Sequence, residues 1–199
     1  MRKLLERSGF YPSFLLLIFA LIWIGASINP LNKSLFILET AGIAVLLLFF
    51  ILTYRRFRLS NVSYTLIFFY FFLHAIGAHY SYDVPEGSPL FFSFIRYDRL
   101  VHLCFGLFMY YPFKDAYLKL TKTVKTLEYL IPFMIIVAIG SIYELWEWVF
   151  TLFNPLLGMQ YSAFGNDFFD TQKDMALSFL GALIAIIINM IFHHSKKDK

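Results

Sequence analysis

Six long apolar segments, separated by short polar stretches, run through the sequence. They cover about residues 12–29, 34–54, 62–79, 96–113, 127–151 and 171–193. A helix that crosses a bilayer needs about 20 predominantly apolar residues, and each segment approaches or exceeds that length. The pattern therefore predicts an all-α fold, a polytopic bundle of six transmembrane helices. We expect residues 1–199 to form a single integral membrane domain.

Composition agrees with this class and excludes a soluble protein. Hydrophobic residues make up 59% of the chain, aromatic residues 21% and charged residues only 15%, whereas soluble domains are about 25% charged. The pI near 9.1 is typical of nucleic-acid-binding proteins, but here the basic residues lie in short groups between apolar segments. That arrangement is typical of topology signals in membrane proteins, so we expect membrane lipids and no nucleic acid as partners.

The lysines and arginines predict the orientation of the bundle, because they concentrate in the cytoplasmic loops of membrane proteins. Thirteen fall on one side: Arg2, Lys3, Arg7, Arg55, Arg56, Arg58, Lys114, Lys119, Lys122, Lys125, Lys196, Lys197 and Lys199. Four fall on the other side: Lys33, Arg96, Arg99 and Lys173. Both termini of this multi-pass membrane protein are therefore predicted to be cytoplasmic.

Most of the remaining ionisable residues gather at the predicted outer end of the bundle. Ionisable side chains are expensive in or near hydrocarbon, so such a cluster usually marks a functional site. Its members are His79, Asp98, His102, Glu144, Glu147, Asp167, Asp170 and Asp174. Segments that are far apart in the sequence contribute these residues at one predicted membrane depth.

Asp98 and His102 are four residues apart, so on a helix they share one face and can hold the same ion or proton. The alternative is that Asp98 caps the helix and that His102 is a hydrogen-bonded core residue. Glu144 and Glu147 are three residues apart in an apolar segment, where they repel each other unless a cation or a proton lies between them. Alternatively, Glu147 reaches the outer head-group region.

The start of the last segment contributes Asp167, Asp170 and Asp174. Asp170 and Asp174 share a helical face that Ser178, Gly181 and Ala185 continue, and small residues on this line permit close helix packing. We therefore expect the two acids to face the interior of the bundle. Asp167 lies either on the same face or at the helix start, where a carboxylate can cap free N–H groups.

A set of carboxylates with one or two imidazoles suits Mg²⁺, Mn²⁺ or Ca²⁺. Zn²⁺ is the alternative, with His79 and His102 as its ligands. The hypothesis is a divalent cation site in which all eight clustered residues are candidate ligands. Asp98, His102 and Glu144 are the candidate catalytic residues. His102 or His79 would act as acid or base.

Three segments carry a family resemblance: Asp98-Arg99-Leu100-Val101-His102, Tyr143-Glu144-Leu145-Trp146-Glu147-Trp148, and residues 167–175 with the following Gly181. Together they resemble the YjdF-like bacterial inner membrane proteins, a family of uncharacterised function, over essentially the whole chain. More loosely, the Asp-x-x-x-His, Glu and Asp-x-x-x-Ser-x-x-Gly helices resemble the VanZ-like membrane proteins, whose best-known member is associated with glycopeptide antibiotic tolerance. Both resemblances imply a fold and a site, and neither implies a particular reaction.

Residues 166–174 also resemble the Mg²⁺-diphosphate motif of the UbiA-type prenyltransferases. Those enzymes carry a second Asp-rich motif, which this sequence lacks, and their motif faces the cytoplasm. The predicted topology places residues 166–174 outside. Prenyl transfer is therefore the weaker interpretation.

Three classes of function remain open. The first is a metal-assisted enzyme or binding protein that acts on a lipid or cell-envelope head group at the outer leaflet. The second is a proton- or cation-coupled transporter, and the third is a structural or accessory membrane protein. A transport path should continue across the membrane, but the inner half offers little besides Glu39, His74 and Asn189. This asymmetry favours a one-sided site, and it leaves the substrate, the oligomeric state and enzymatic activity open.

Overall fold

The computed structural model describes residues 9–82, 95–122, 124–153 and 169–195. Within these ranges the chain forms six helices and no strand. The helices are α1 (Phe10–Ser27), α2 (Lys33–Thr53), α3 (Asn61–His79), α4 (Tyr97–Leu120), α5 (Lys125–Phe153) and α6 (Asp170–Ser195). The predicted all-α membrane bundle is confirmed. The side on which each terminus lies stays a prediction.

Polar residues in front of two helices fix where those helices begin. The side-chain oxygen of Asn32 accepts hydrogen bonds from the backbone N–H groups of Ser34 and Leu35, at 3.0 and 3.2 Å. Ser60 accepts one from Ser63 N at 3.2 Å. Each cap satisfies backbone donors that the first helical turn leaves free, so α2 and α3 start beside these residues.

Five helices are long and apolar enough to cross a membrane, namely α1, α2, α3, α5 and α6. The exception is α4, which is 24 residues long and carries several charged residues. It packs against α3, α5 and α6, and it contributes Val101, Phe105, Met109 and Tyr110 to the buried core. Because its neighbours cover α4, this helix needs less apolar surface than the helices that face lipid.

The crossing of α4 and α6 depends on two glycines. A Cβ atom added to Gly106 would lie 1.9 Å from the backbone oxygen of Ser178, and one added to Gly181 would lie 2.1 Å from the backbone oxygen of Leu103. The two backbones therefore pack in direct contact, as small residues at membrane helix interfaces allow. Gly181 was predicted as part of a small-residue face, and Gly106 is its counterpart on α4.

Lys114 occupies a different position from the one that the charge count assumed. It lies inside α4, is only 6% exposed, and donates a hydrogen bond to Asn189 Oδ1 at 2.6 Å. Its Nζ also lies 3.7 Å from the centre of the Tyr129 ring. Lys114 is thus a packing residue between helices. Without it, the asymmetry of lysines and arginines is still twelve to four.

Asp115 connects α4 to the start of α3. Its Oδ2 accepts hydrogen bonds from Ser60 N at 2.6 Å and from Ser63 Oγ at 2.8 Å, and its Oδ1 lies 3.0 Å from Lys119 Nζ. A carboxylate at a helix N-terminus is favourable because it meets free N–H groups and the positive end of the helix dipole. This contact fixes the end of the bundle opposite the acidic cluster.

Candidate functional site

The site end of the bundle is the end at which α3 and α5 finish and α4 and α6 begin. Asp98 and His102 lie on the first turns of α4, Glu144 lies in the last third of α5, and Asp174 lies on the second turn of α6. The close crossing of α4 and α6 brings these helix starts together. The predicted convergence of acids from separate helices is therefore present in the structure.

Asp98, His102 and Asp174 form the core of the site. Each offers one possible ligand atom, and these three atoms all lie within 4.8 Å of one another. His102 and Asp174 are 8% and 3% exposed, and Asp98 is partly buried. This spacing is compatible with one shared ion, since ligand atoms about 2.3–2.6 Å from a Ca²⁺ ion can lie up to about 5 Å apart.

Glu144 is next to this group. His102 Nε2 lies 3.3 Å from Glu144 Oε1 and 3.6 Å from Asp98 Oδ1. The approach of His102 to Glu144 does not have hydrogen-bond geometry. Among the described residues, neither Glu144 Oε1 nor Asp174 Oδ1 has a hydrogen-bond partner, although both atoms are buried. Glu144 is only 4% exposed, so the site holds two buried carboxylate oxygens that protein groups in the described ranges do not satisfy.

Ser178 holds His102 from the side of α6. Its Oγ donates to the backbone oxygen of His102 at 3.2 Å and lies 3.4 Å from Nδ1 of the same residue. These contacts direct Nε2 toward the carboxylates. Ser178 was predicted only as a small packing residue. Its hydroxyl also helps to position the imidazole, as groups behind a metal ligand commonly do.

Asp170 has partners of its own. Its Oδ1 accepts hydrogen bonds from Arg96 at 2.7 Å and from Arg99 at 3.0 Å. The two arginines are partly exposed, with side-chain exposures of 35% and 23%. Asp170 was predicted as a ligand, and within the described residues it lies in this ion-pair cluster at the edge of the site.

The remaining predicted ligands lie around the core. Glu147 is partly buried and close enough to Glu144 and Asp174 to interact with them electrostatically. His79 is at the end of α3, where its Nδ1 is 2.8 Å from the carbonyl oxygen of Ala26. It is not part of the three-residue group described above. Asp167 lies outside the described residues.

A second polar network adjoins the site, and it contains Glu39 and His74, which were predicted to lie in the inner half of the bundle. Tyr143, the residue before Glu144, donates a hydrogen bond from α5 to Glu39 Oε2 on α2. His74 Nε2 is 2.9 Å from the backbone oxygen of Glu39, and His74 Nδ1 is 2.8 Å from the hydroxyl of Tyr82. Since a carbonyl oxygen only accepts, Nε2 carries the proton, and in the neutral ring Nδ1 accepts from Tyr82.

Tyr82 follows α3 in an unusual backbone conformation, with φ at 58°. This left-handed turn directs its ring back over α3. Burial raises the pKa of Tyr82 well above its usual value, so the hydroxyl stays protonated and can donate to His74. The charge of Glu39 acts in the same direction. The signals available in the sequence were Glu39 and His74, two ionisable residues within apolar segments.

The chain also matches known proteins. It matches the family described as Predicted membrane protein (DUF2238) over residues 11–195. It is 29% identical over 180 residues to the inner membrane protein YjdF of Escherichia coli strain K12, an alignment that covers 87% of this chain and 86% of that protein. No solved structure matches the chain. The predicted resemblance to YjdF-like membrane proteins is confirmed, and the resemblance to VanZ-like proteins is not.

Proposed function

The chain belongs to the Predicted membrane protein (DUF2238) family, and we propose that its site binds a divalent cation and uses it on a lipid or cell-envelope head group. It is a multi-pass protein of the bacterial inner membrane. Asp98, His102 and Asp174 hold the ion in this proposal. Glu144 serves as a further ligand or as a general base toward a water bound to the ion.

The observation that carries the proposal is the pair of buried carboxylate oxygens without partners, Glu144 Oε1 and Asp174 Oδ1. An ionised carboxylate that is buried without a partner costs several kcal/mol, so such groups are normally paired or bound to a metal. His102 faces both Asp98 and Glu144 and cannot neutralise all three acids. A divalent cation at this point would satisfy the unpaired oxygens and relieve the repulsion between them.

The donor set indicates the class of cation. Three carboxylates and one imidazole form a site dominated by hard oxygen ligands, which suits Mn²⁺, Mg²⁺ or Ca²⁺. A zinc site with two histidines would need His79, which is not part of the group formed by Asp98, His102 and Asp174. We therefore place Mn²⁺ and Mg²⁺ ahead of Zn²⁺.

Arg96 and Arg99 suggest what part of a substrate approaches the ion. Both guanidinium groups bind the carboxylate of Asp170, and they place positive charge at the edge of the site. Guanidinium groups bind phosphate through paired hydrogen bonds, and a divalent cation polarises a phosphoryl oxygen. A head group that carries phosphate would meet both features at the membrane surface.

A proton- or cation-coupled transporter is the second candidate. The network of Glu39, Tyr143 and His74 favours a transporter, because this network extends the polar contacts from α5 to α2 and α3. However, α4 continues from the site with the buried residues Phe105 and Met109 before it reaches Lys114. The polar groups at the two ends of α4 are therefore separated by an apolar core. This separation supports a one-sided site more than a path across the membrane.

The test is Mn²⁺ binding to detergent-purified protein after treatment with a chelator, with free Mn²⁺ followed by electron paramagnetic resonance. We expect wild type to bind a single ion. Losing even an outer-shell partner typically weakens metal affinity by about 10–100-fold, so Asp174→Asn should weaken it by at least that factor. The control is Glu128→Gln, which removes a carboxylate from the first turn of α5, at the opposite end of the bundle.

Equal binding by wild type and Asp174→Asn, or no binding by wild type, would contradict the metal site. In that case, protons shared among the carboxylates would explain the cluster better. Unchanged Mn²⁺ binding in Glu128→Gln would show that loss of one negative charge elsewhere does not produce the effect.

A further inference from the structure

A deep apolar cleft begins beside the site and runs along the helices. Its volume is about 600 Å³, within the roughly 300–1,000 Å³ of typical ligand pockets. Residues of α2 and α5 form its two walls, and residues of α3 and α4 form its floor. Four polar residues lie together at its site end: His74, Tyr82, His102 and Tyr143.

The cleft opens sideways toward the lipid. Val45 on α2 and Ile142 and Trp146 on α5 line it and are 69%, 64% and 48% exposed. Its floor is covered, since Val101 and Phe105 are each only 4% exposed. In a membrane-spanning helix, an exposed apolar side chain contacts hydrocarbon. The molecules that reach this mouth are therefore membrane lipids.

The length of the cleft matches one leaflet of a bilayer. On α4 it extends from Val101 to Phe113, and on α5 from Ile135 to Trp146. At a rise of about 1.5 Å per residue these stretches are roughly 16–18 Å long. The hydrocarbon core of a bilayer is about 30 Å thick, so one leaflet contributes about 15 Å.

From these observations we infer that the cleft between α2 and α5 binds one hydrocarbon chain of a membrane lipid and presents its head group to the site. The inference rests on the proposed function for the head group and on the cleft for the chain. His102 connects the two, because it lines the cleft and belongs to the group formed with Asp98 and Asp174. The preferred substrate is therefore a phosphate-bearing lipid that is drawn in from the leaflet on the site side.

The structure also shows what connects the two walls. The hydrogen bond from Tyr143 to Glu39 joins α5 to α2 at the polar end of the cleft. Gly42 makes room for this tyrosine, because a Cβ atom there would lie 2.8 Å from the Tyr143 ring. Otherwise α2 packs chiefly against α3. The part of the cleft farther from the site is thus left open between α2 and α5.

The experiment uses the full chain in vesicles of phosphatidylethanolamine and phosphatidylglycerol with a trace of phosphatidylglycerol that carries a diazirine in its acyl chain. After illumination, labelled residues are identified by mass spectrometry of peptides. We expect label on Val101 and Phe105, which surrounding lipid does not touch. The variant Ile139→Trp, which fills the cleft, should lose this label, whereas Met134→Trp on the exposed face of the same helix should keep it.

A second matched pair of variants keeps the test valid if Ile139→Trp does not fold. Val45 and Leu48 are both exposed on α2, but only Val45 lines the cleft. Val45→Trp should reduce labelling of Phe105, and Leu48→Trp should leave it unchanged. Label confined to lipid-facing residues in wild type, or equal labelling of Phe105 across either pair, would overturn the inference.

Mn²⁺ binding on the same preparations distinguishes this inference from the proposed function. Ile139→Trp should bind Mn²⁺ like wild type, because Ile139 is not among the proposed ligands. Label at Phe105 without Mn²⁺ binding by wild type would overturn the metal site and leave the chain assignment standing. Mn²⁺ binding without label at Phe105 would overturn the chain assignment alone.

Discussion

Asp174 and Glu144 are the residues on which the account of the site depends most. Each is nearly fully buried, and each presents a carboxylate oxygen without a hydrogen-bond partner among the described residues. Buried polar groups in native proteins are generally satisfied, so each exception needs a physical explanation. A shared cation explains both oxygens together, whereas helix capping explains neither.

A shared ion predicts coupling between these two residues. Glu144→Gln and Asp174→Asn should each weaken Mn²⁺ binding, and the double variant should be little worse than either single variant. Neighbouring groups in one network show non-additive effects, whereas independent sites add within about 0.3–0.5 kcal/mol. Isothermal titration of the four proteins measures this. Fully additive losses would indicate that the two carboxylates act separately.

At the scale of elements, the contact between α4 and α6 sets the geometry of the site. It places Asp98 and His102 beside Asp174, and it depends on Gly106 and Gly181, whose missing side chains let the two backbones touch. A shift of these helices by even part of a turn would separate the three possible ligand atoms. A substitution that disrupts this crossing should therefore also disrupt the site.

Alanine substitution at either crossing glycine tests this dependence. Gly106→Ala and Gly181→Ala put a methyl group against backbone atoms that cannot move aside. We expect a loss of stability of about 1–3 kcal/mol or more, the usual range for overpacking, and a loss of Mn²⁺ binding. The matched control is Gly140→Ala, where the nearest atom to an added Cβ is 3.6 Å away, an ordinary contact. Thermal unfolding of the three variants in detergent measures the stability changes, and similar unfolding curves would refute the tight crossing.

Asp115 gives the α3–α4 contact a pH dependence. Burial alone would raise its pKa, but hydrogen bonds from Ser60, Lys119 and Ser63 outweigh it and lower the pKa below the usual value. A lowered pKa stabilises the fold at pH values above the unfolded pKa of about 3.9. This stabilisation is lost as the pH falls through the lower folded pKa.

The comparison of wild type with Asp115→Asn isolates this contribution. The difference in melting temperature should be constant above about pH 5 and should shrink below about pH 4, as the carboxylate becomes protonated first in the unfolded state and then in the folded state. Melting curves of both proteins between pH 3 and pH 7 provide the measurement. A difference that grows as the pH falls would contradict the assignment.

The sequence predicts where the helices lie better than it predicts which residues of different helices contact each other. Apolar pattern places the starts of α4 and α6 within one residue, at 96 against Tyr97 and at 171 against Asp170. It ends α4 at 113, whereas the helix continues to Leu120. The reason is that Lys114 and Asp115 interrupt the apolar pattern but find polar partners on α6 and at the start of α3, so the helix does not need to stop.

The site was partly predictable for the same physical reason. Asp98 and His102 share a helical face by their spacing, which local geometry alone dictates. The contact between Tyr143 and Glu39 joins residues 104 positions apart, and no local pattern indicates it. Spacing also could not show that Asp170 pairs with arginines while Asp174 stays in the core, because that depends on how α4 and α6 cross.

At the scale of the whole molecule, the charge asymmetry predicts which side of the membrane the site faces. Reporter fusions after Lys33, Gly87 and Gly158 should lie outside the cytoplasm, and fusions after Arg58, Lys122 and Lys199 should be cytoplasmic. Alkaline phosphatase and fluorescent protein fusions give opposite signals for the two sides. A cytoplasmic signal after Gly158 would refute the predicted orientation of α5 and α6.

As we propose it, the whole molecule is a helical membrane bundle with an ion site at one end and a cleft for a lipid chain beside it. The central claim is the position of the ion. The most direct measurement is anomalous diffraction at the manganese edge from crystals of the full chain grown with Mn²⁺. The account predicts one peak bounded by Asp98, His102 and Asp174, with Glu144 next to it. No peak there, or a peak elsewhere that persists in Asp174→Asn, would contradict it.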